Sequence, residues 1–209
     1  MTAIEIRFLL GRCHATPWDR HVNEGAVEWP PSPWRILRSL LASWHHKCHD
    51  IPETDVRALI TALAAPPIYS LPPAAHGHTR HYLKTSDKPK LVFDTFVVAA
   101  PEQPLVAVWP NLILDAAQRR VLTRLLEVMT YFGRAESWAE ARLLDDWNGV
   151  PNVLPLGDAQ LSDQQEIVRV LSPVSSDSFT EWRDGYLRDE LAARLAPRRA
   201  KAIAEGKSA

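Results

Sequence analysis

Three prolines in front of an apolar helical pattern constrain the fold of this chain more than any other feature. Pro30, Pro31 and Pro33 fix the backbone φ angle and hold the residues before them extended. Ser32 is a good N-cap residue, and Pro33 then takes the first helical position, where its missing N–H costs nothing. The residues that follow repeat apolar side chains at helical spacing: Ile36, Leu37, Leu40, Leu41 and Trp44. We therefore expect a stiff segment leading into a helix that ends near Cys48.

Periodicity and turn residues predict the elements around this helix. The expected strands are Ile4–Leu10, Ile68–Leu71, Leu91–Ala99, Leu105–Trp109 and Ala135–Leu143. Two more helical patterns cover residues 56–63 and the residues after Asp115, which is a good N-cap. Gly133 is a natural residue to end the later helix. Leu91–Ala99 and Leu105–Trp109 are interpreted as a hairpin or a broken pair, because a proline-rich segment separates them.

The order of these elements fits an α+β protein built on a ferredoxin-like βαββαβ unit. We expect this domain to span residues 1–145 and to carry a long basic hairpin or loop. Residues 146–209 are expected to form an extension with one strand at Ile167–Leu171 and a final helix that begins near residue 178. The polar tail from Pro197 is expected to fray.

The composition limits the partners and the compartment of the protein. A net charge of −1 gives no global basic field that would attract nucleic acid, so any RNA site must come from local patches. Cys13 and Cys48 are too few for a disulfide framework and favour a reducing compartment, so a cytoplasmic location is expected. The apolar runs are too short to cross a bilayer, and no membrane partner is expected.

Several long motifs resemble one CRISPR-associated family. They are Ile4–Arg12, His14–Trp18, Asn23–Gly25, Glu28–Arg35, Thr79–Tyr82 and Tyr131–Trp138. Together they resemble the fused Cascade subunit of type I-U (also called I-G) systems, a member of the RAMP superfamily. The resemblance extends to about Leu144 and is weaker beyond it.

This resemblance implies a ferredoxin-like RAMP domain that works with CRISPR RNA. In the family, a Cas-five type part binds the 5′ handle of the crRNA, and a Cas-six type part processes the repeat as an endoribonuclease. Members are usually about twice as long as this chain, so we expect it to correspond to the amino-terminal half or to be a short version. The implied partners are CRISPR RNA and the backbone and large subunits of Cascade.

The segment His76–Lys90 is the strongest candidate for RNA binding. It is rich in basic side chains, which neutralise phosphates, and its Tyr82 could stack on an unpaired base. A solvated surface loop is the alternative interpretation. The residues expected to bind RNA are Arg35, Arg38, Arg80, Tyr82, Lys84, Lys88 and Arg134. For Arg134 the alternative is a surface arginine beside a helix C-cap glycine, and for Arg35 and Arg38 it is the solvated side of a core helix.

His81 is the candidate catalytic residue. Metal-independent RNA cleavage needs a base near the ribose 2′-OH, a proton donor for the leaving 5′ oxygen, and cations around the phosphate. His81 lies beside Arg80 and Tyr82, which supplies those residue types. Residues of types that bind zinc are also present: Cys13, His14, His21, His45, His46, Cys48 and His49. They form no CxxC or HExxH pattern, so we expect neither a metal nor another cofactor.

Three functions are consistent with these observations. The first is a CRISPR RNA-binding Cascade subunit that grips the 5′ handle and docks to the backbone subunits. The second is a metal-independent endoribonuclease that cleaves precursor crRNA within the repeat. The third is a protein–protein scaffold that makes no RNA contact.

Overall fold

The computed structural model describes residues 1–84, 88–157 and 162–204. Within these ranges the strands are β1 (Thr2–Phe8), β2 (Arg12–Cys13), β3 (Ile68–Ser70), β4 (Ala74–Leu83), β5 (Lys90–Ala99), β6 (Leu105–Trp109) and β7 (Ala139–Leu144). The α-helices are α1 (Pro33–Lys47), α2 (Glu53–Ala62), α3 (Ala116–Glu127) and α4 (Ser176–Ala204), and a 3₁₀ turn covers Val22–Glu24. The protein is therefore α+β, as the sequence predicts.

The central sheet has the strand order β3-β6-β1-β7, and all neighbouring strands are antiparallel. Counted along the chain, these are the second, third, first and fourth strands of a βαββαβ unit. The helices α1 and α2 lie in the first crossover connection, and α3 lies in the second. This strand order confirms the ferredoxin-like fold.

The main core lies on one face of the central strand β1. Ile4, Ile6 and Phe8 alternate along this strand and pack into one apolar cluster with the helices. Full burial of side chains of this size contributes about 1.5–3 kcal/mol each. A smaller apolar cluster around Val108 lies on the opposite face of the sheet.

The start of α1 follows the sequence prediction closely. The Ser32 hydroxyl accepts a hydrogen bond from the backbone N–H of Arg35 at 3.2 Å, and Pro33 is the first helical residue. The Tyr69 hydroxyl donates to the carbonyl of Pro31 at 2.8 Å, so β3 helps to hold the proline segment. Glu28 accepts from the backbone N–H of Ser32 at 2.8 Å. Hydrogen bonds at Pro31 and at Ser32 thus hold the proline segment in place before α1.

The end of α3 differs from the sequence prediction. Asp115 is the N-cap, as expected, but the helix ends at Glu127, well before Gly133. The carbonyl of Val128 accepts from the Lys47 side chain at 2.9 Å, and the N–H of Phe132 bonds to Ser137 instead of continuing the helix. The prediction that Gly133 ends the helix was therefore wrong.

A second sheet has the strand order β2-β5-β4; its strands β4 and β5 are inserted between β3 and β6, whereas β2 follows β1. β4 and β5 form a long antiparallel hairpin, which confirms the expected basic hairpin. The pairing of Leu91–Ala99 with Leu105–Trp109 was wrong, because β6 pairs with β1 and β3 in the other sheet. β6 is buried at every position, which is typical of a central strand, whereas much of β5 is exposed or half-buried.

The chain divides into two compact units, Met1–Pro173 and Val174–Ala209. In the first unit, the segment Ile167–Leu171 is not a strand, which corrects the sequence prediction. Its Leu171 carbonyl instead accepts from the backbone N–H of Trp34 at 3.2 Å.

The second unit consists mainly of α4. This helix continues through Pro197 to Ala204, so the tail that was expected to fray is helical that far. The last five residues of that tail, 205–209, lie outside the described residues. None of the described helices is long and apolar enough to cross a membrane.

Candidate nucleic-acid interface

The register of the hairpin separates its side chains into two faces. Arg80 pairs with Phe93, and Thr79 pairs with Asp94. Because successive side chains of a strand point to opposite faces, Arg80 and Phe93 share one face while Asp94 and His81 share the other. We call the first the aromatic face and the second the ionic face.

The aromatic face is built around the ring of Phe93. The His78 ring lies 4.8 Å from it, centroid to centroid, and the Arg80 guanidinium lies 5.3 Å from its centroid. Tyr82 follows on the same face and is 71% exposed. Cations and ring faces therefore alternate along an exposed strand. This arrangement can pair phosphates with charge while unpaired bases stack on rings.

The 3₁₀ turn and the residues after it hold the middle of β5 in place. Asn23 accepts from the backbone N–H of Phe93 at 3.0 Å, and the Thr95 hydroxyl donates to the carbonyl of Ala26 at 3.1 Å. Gly25 has φ of +72°, and a Cβ there would lie 3.0 Å from the Phe93 ring. The turn thus packs closely on the aromatic face and fixes the position of Phe93.

The ionic face gathers charged residues from three distant parts of the sequence. Oδ1 of Asp94 accepts from Nη1 of Arg134 at 3.2 Å, and Oδ2 lies 3.7 Å from Nδ1 of His81. The buried His14 ring lies between Asp94 and Glu136, with Nε2 3.9 Å from Asp94 and Nδ1 2.5 Å from Glu136. His81, which the sequence predicted as catalytic, thus lies in a charged network with Arg134.

The hydrogen bonds of His14 define its most consistent tautomer. Nη1 of Arg134 lies 3.4 Å from Nε2, and an arginine can only donate. Nε2 is then the acceptor, and Nδ1–H donates to Glu136. Burial works to raise the pKa of Glu136, but its backbone N–H, His14 and Arg134 outweigh this and hold the pKa below its usual range.

The loop Gly133-Arg134 is positioned by a close backbone contact. The N–H of Arg134 donates to the carbonyl of His14 at 2.9 Å. Gly133 has φ of +94°, and a Cβ there would lie 2.6 Å from the same carbonyl oxygen. Only glycine fits this conformation and this approach without strain. The glycine therefore sets the position of Arg134 beside the hairpin, a role different from the helix end expected for it.

The structure distributes the predicted RNA-binding residues over three places. Arg80, Tyr82 and Lys84 lie at the outer part of β4 or directly after it, and Lys88 lies shortly before β5; all four are exposed. Residues 85–87 of the basic segment lie outside the described residues. Arg134 contacts the ionic face, on the side of the hairpin away from Arg80.

Arg35 and Arg38 lie apart from the hairpin, on α1. Nε and Nη2 of Arg35 bond to the two oxygens of the buried Glu28 at 2.6 and 2.8 Å, and Nη2 also donates to the carbonyl of Thr16 at 2.8 Å. Burial works to lower the pKa of Arg35, but Glu28 outweighs it and raises that pKa overall. Arg35 therefore ties the loop before α1 to the helix, and its contact with RNA stays a prediction.

Sequence reasoning missed the acidic members of the ionic face, Asp94 and Glu136, and considered His14 only within a larger set of histidines, as a metal ligand or a general base. One signal for Asp94 was present: it is a lone acid within a β-rich run opposite a basic strand. Glu136 is 42 positions further on, and no local pattern links the two.

The described residues include no group of three or more side chains that could hold a metal ion. Cys13 and Cys48 are both buried and free, and desolvation raises the pKa of Cys13 to about 12. A thiol with that pKa stays protonated and is a poor metal ligand.

Two solved structures are similar to this chain. One is Thermus thermophilus Cas6, at 16% identity and a TM-score of 0.34, with 68% of this chain and 53% of that chain covered. The other is a Cas6 product complex, at 17% identity and the same TM-score, with 68% and 51% covered. The chain thus spans about half the length of each. At these values neither likeness bears on function, and the fold rests on the strand order above. No protein-family model and no curated protein matches the chain.

Proposed function

We propose that this chain binds CRISPR RNA as a subunit of a type I-U/I-G Cascade complex and grips the 5′ handle with its hairpin. The aromatic face carries the proposal. Phe93 there holds His78 and Arg80 against its ring, and Tyr82 is largely exposed beside them. A single-stranded RNA is commonly held by cations on its phosphates and by rings stacked on its bases.

The position of the family-like motifs supports this function. The segment Thr79–Tyr82, which resembles the family, forms the outer half of β4. The segment Tyr131–Trp138 contains Gly133 and Arg134, which approach the ionic face of the same hairpin. Two motifs that are far apart in sequence therefore meet at the hairpin, where His81 and Arg134 share the ionic face, as expected if the hairpin performs the shared function.

Docking to other Cascade subunits is part of the proposal. Trp138 is 55% exposed and lies immediately before the edge strand β7. Leu9 and Leu10, which directly follow β1, are also exposed. Large exposed apolar side chains beside an unpaired sheet edge are typical of protein interfaces. This edge is the surface we assign to a neighbouring subunit.

Binding to labelled repeat RNA tests the function. We expect the protein to bind repeat RNA more tightly than a scrambled RNA in fluorescence anisotropy, with an affinity that falls steeply as salt is raised. Arg80→Ala and Tyr82→Ala should each weaken binding by about five-fold or more, the range expected for a lost base stack or phosphate contact. Arg120→Gln, at an exposed position on α3, is the matched control and should bind normally.

A protein that ignores RNA at low salt would contradict the proposal. If partner subunits then bind it without RNA, the scaffold function would replace it. If both hairpin variants kept the RNA affinity of the wild type, RNA would bind at a surface other than the aromatic face.

One observation favours endoribonuclease activity as a second candidate. His81 is half-exposed, with Nδ1 3.7 Å from Oδ2 of Asp94, and Arg134 lies on the same carboxylate. A carboxylate beside one ring nitrogen orients a histidine so that the other can accept a proton. The 2′-OH would lose its proton to His81, and the 2′ oxygen would attack phosphorus to form a 2′,3′-cyclic phosphate. The P–O5′ bond would break, and the leaving 5′ oxygen would take a proton from water.

Cleavage assays separate the two candidates. The nuclease predicts product on a denaturing gel in the presence of EDTA, none with a 2′-deoxy substitution at the cut site, and a loss of rate in His81→Ala. The binding subunit predicts intact RNA in every lane and equal affinity for the deoxy control.

A further inference from the structure

A groove beside α1 forms a second cationic and aromatic surface that the hairpin does not include. It has a volume of about 530 Å³, within the range of small-molecule pockets. Its walls are α1, the loop Thr16–Arg20, and the segment from Val128 to Gly133 after α3. We call it the α1 groove.

Small side chains in the middle of one helix face create the hollow. Ser39 and Ala42 line the groove on the side of α1 away from its core positions, and the buried Ser43 lines it at the edge of the core. Two long cations stand at the margins of this face: Arg38 on one side and Lys47 on the other. An occupant of the groove would therefore lie between two positive charges.

Neither margin cation has an acidic partner among the described residues. The Arg38 guanidinium lies 5.9 Å from the centroid of the Trp34 ring, and no ion pair is formed by it within the described part of the chain. Lys47 donates to the carbonyl of Val128 at 2.9 Å and lies 3.4 Å from the Thr130 hydroxyl. These neutral acceptors fix the ammonium in place and leave its charge uncompensated.

Exposed rings stand beside these charges. Trp18 is 73% exposed, Trp34 is 36% exposed and Tyr131 is 40% exposed, and all three line the groove. An acidic peptide would pair its carboxylates with the cations, but its charged side chains would not stack on the three exposed rings. Unpaired nucleotides use both, because each has a phosphate and a flat base.

The groove adjoins the ionic face of the hairpin. Gly133 lines the groove, and the next residue, Arg134, bonds to Asp94. The carbonyl of His14 accepts from Arg134 at the point where the two surfaces meet. The groove therefore lies next to the ionic face of the hairpin, at the Gly133-Arg134 loop.

We propose that the α1 groove binds unpaired nucleotides of RNA, with phosphate at Arg38 and Lys47 and bases on Trp18 and Trp34. This inference rests on the proposed RNA-binding function and adds a second binding site to it. Arg38 thereby keeps the RNA-binding role expected of it, at a place separate from the hairpin.

Single-stranded oligouridylate is the probe that tests the groove. Arg38→Gln should weaken its binding about five-fold and should lower the slope of log affinity against log salt by about 0.7, as expected for one lost phosphate contact. Trp18→Ala should weaken binding about ten-fold through a lost stack. Ala42→Glu should have a similar effect by filling the hollow with negative charge, and Ala117→Glu, on the exposed side of α3, is its charge-matched control.

A crosslinking measurement gives a local readout. Oligouridylate containing 4-thiouridine should crosslink to the peptides that contain Trp18 or Trp34, and Arg38→Gln should reduce those crosslinks while leaving crosslinks to the hairpin. Arg38 and Trp18 are exposed, so their variants should keep the urea midpoint of the wild type.

The outcomes separate this inference from the proposed function. If Tyr82→Ala weakens RNA binding while all three groove variants bind normally, RNA binding stands and the groove inference is overturned. If the wild type binds no RNA at low salt, both fail. Polyglutamate serves as the acidic-peptide probe. If the groove variants weaken the binding of polyglutamate but not that of oligouridylate, the groove is an acidic-peptide site and the inference is overturned.

Discussion

Nη1 of Arg134 donates a hydrogen bond to Oδ1 of Asp94 at 3.2 Å, which connects the loop after α3 to the inserted hairpin. This contact places Arg134 on the ionic face, while Arg80 lies over Phe93 on the aromatic face. Two arginines that seemed equivalent in the sequence therefore have different environments: Arg134 has an acidic partner, and Arg80 rests on a ring.

We expect Asp94→Asn to strengthen RNA binding at low salt, because it removes the carboxylate that offsets Arg134 and lies beside His81. It should also lower the free energy of unfolding by about 1 kcal/mol, since the pair is only partly shielded from water. Anisotropy and urea unfolding measure the two effects. Asp145→Asn, which breaks an exposed pair with Arg119, is the control and should change neither. Weaker RNA binding in Asp94→Asn would contradict the prediction.

Glu28→Ala should lower the free energy of unfolding by about 3 kcal/mol or more. It leaves the half-buried Arg35 guanidinium without its partner and the N–H of Ser32 without its acceptor. Urea unfolding measures the loss. The matched control is Glu53→Ala, which breaks a surface pair with Arg57 and should cost less than about 1 kcal/mol. An equal loss of unfolding free energy in the two variants would show that the buried pair stabilises the fold no more than the surface pair does.

Gly133→Ala should lower the free energy of unfolding by about 2 kcal/mol and should also weaken RNA binding. The added Cβ would meet the carbonyl of His14 at 2.6 Å, and the backbone has a left-handed φ that alanine disfavours. Gly157→Ala is the control, because nothing lies within 4 Å of its Cβ. A stable Gly133→Ala protein with a normal urea midpoint would mean that the loop relaxes without cost.

The ionic face should make stability depend on pH in the acid range. The pKa of Glu136 in the fold lies below that of an unfolded glutamate, about 4.3. Its carboxylate therefore stabilises the fold above that pH, and the stabilisation is lost as the pH falls through the folded-state pKa. Glu136→Gln should lower the urea midpoint at pH 7, and the difference from the wild type should shrink as the pH falls below the unfolded-state pKa and through the lower folded-state pKa. A difference that persists at low pH, or one shared by the exposed control Glu140→Gln, would exclude this cause.

The fold was predictable because its signals are local. Ser32 and Pro33 start α1, Asp115 starts α3, and apolar runs of the right length mark the strands. The strand partners of β5 and β6 were less predictable, because the two strands have similar composition. Only burial on both faces distinguishes β6, in the central sheet, from β5, in the hairpin.

The ionic face could not be predicted, since its members are remote in sequence. His14 and Glu136 are 122 positions apart, and the fold brings them together through the pairing of β2 with β5 and the loop after α3. The α1 groove depends in a similar way on the end of α3. There the Lys47 side chain donates a hydrogen bond to the Val128 carbonyl, a contact that the spacing of residues in the sequence does not predict.

The place where the hairpin enters the fold has a consequence for how this protein can change. Ser70 and Val106 are paired neighbours, and the whole hairpin is inserted between them. A short turn could join β3 to β6 and leave the register of all four core strands intact. Changes near the exposed tip of the hairpin can therefore alter its surface without changing that register, whereas the buried Val97 connects the base of β5 to the main core.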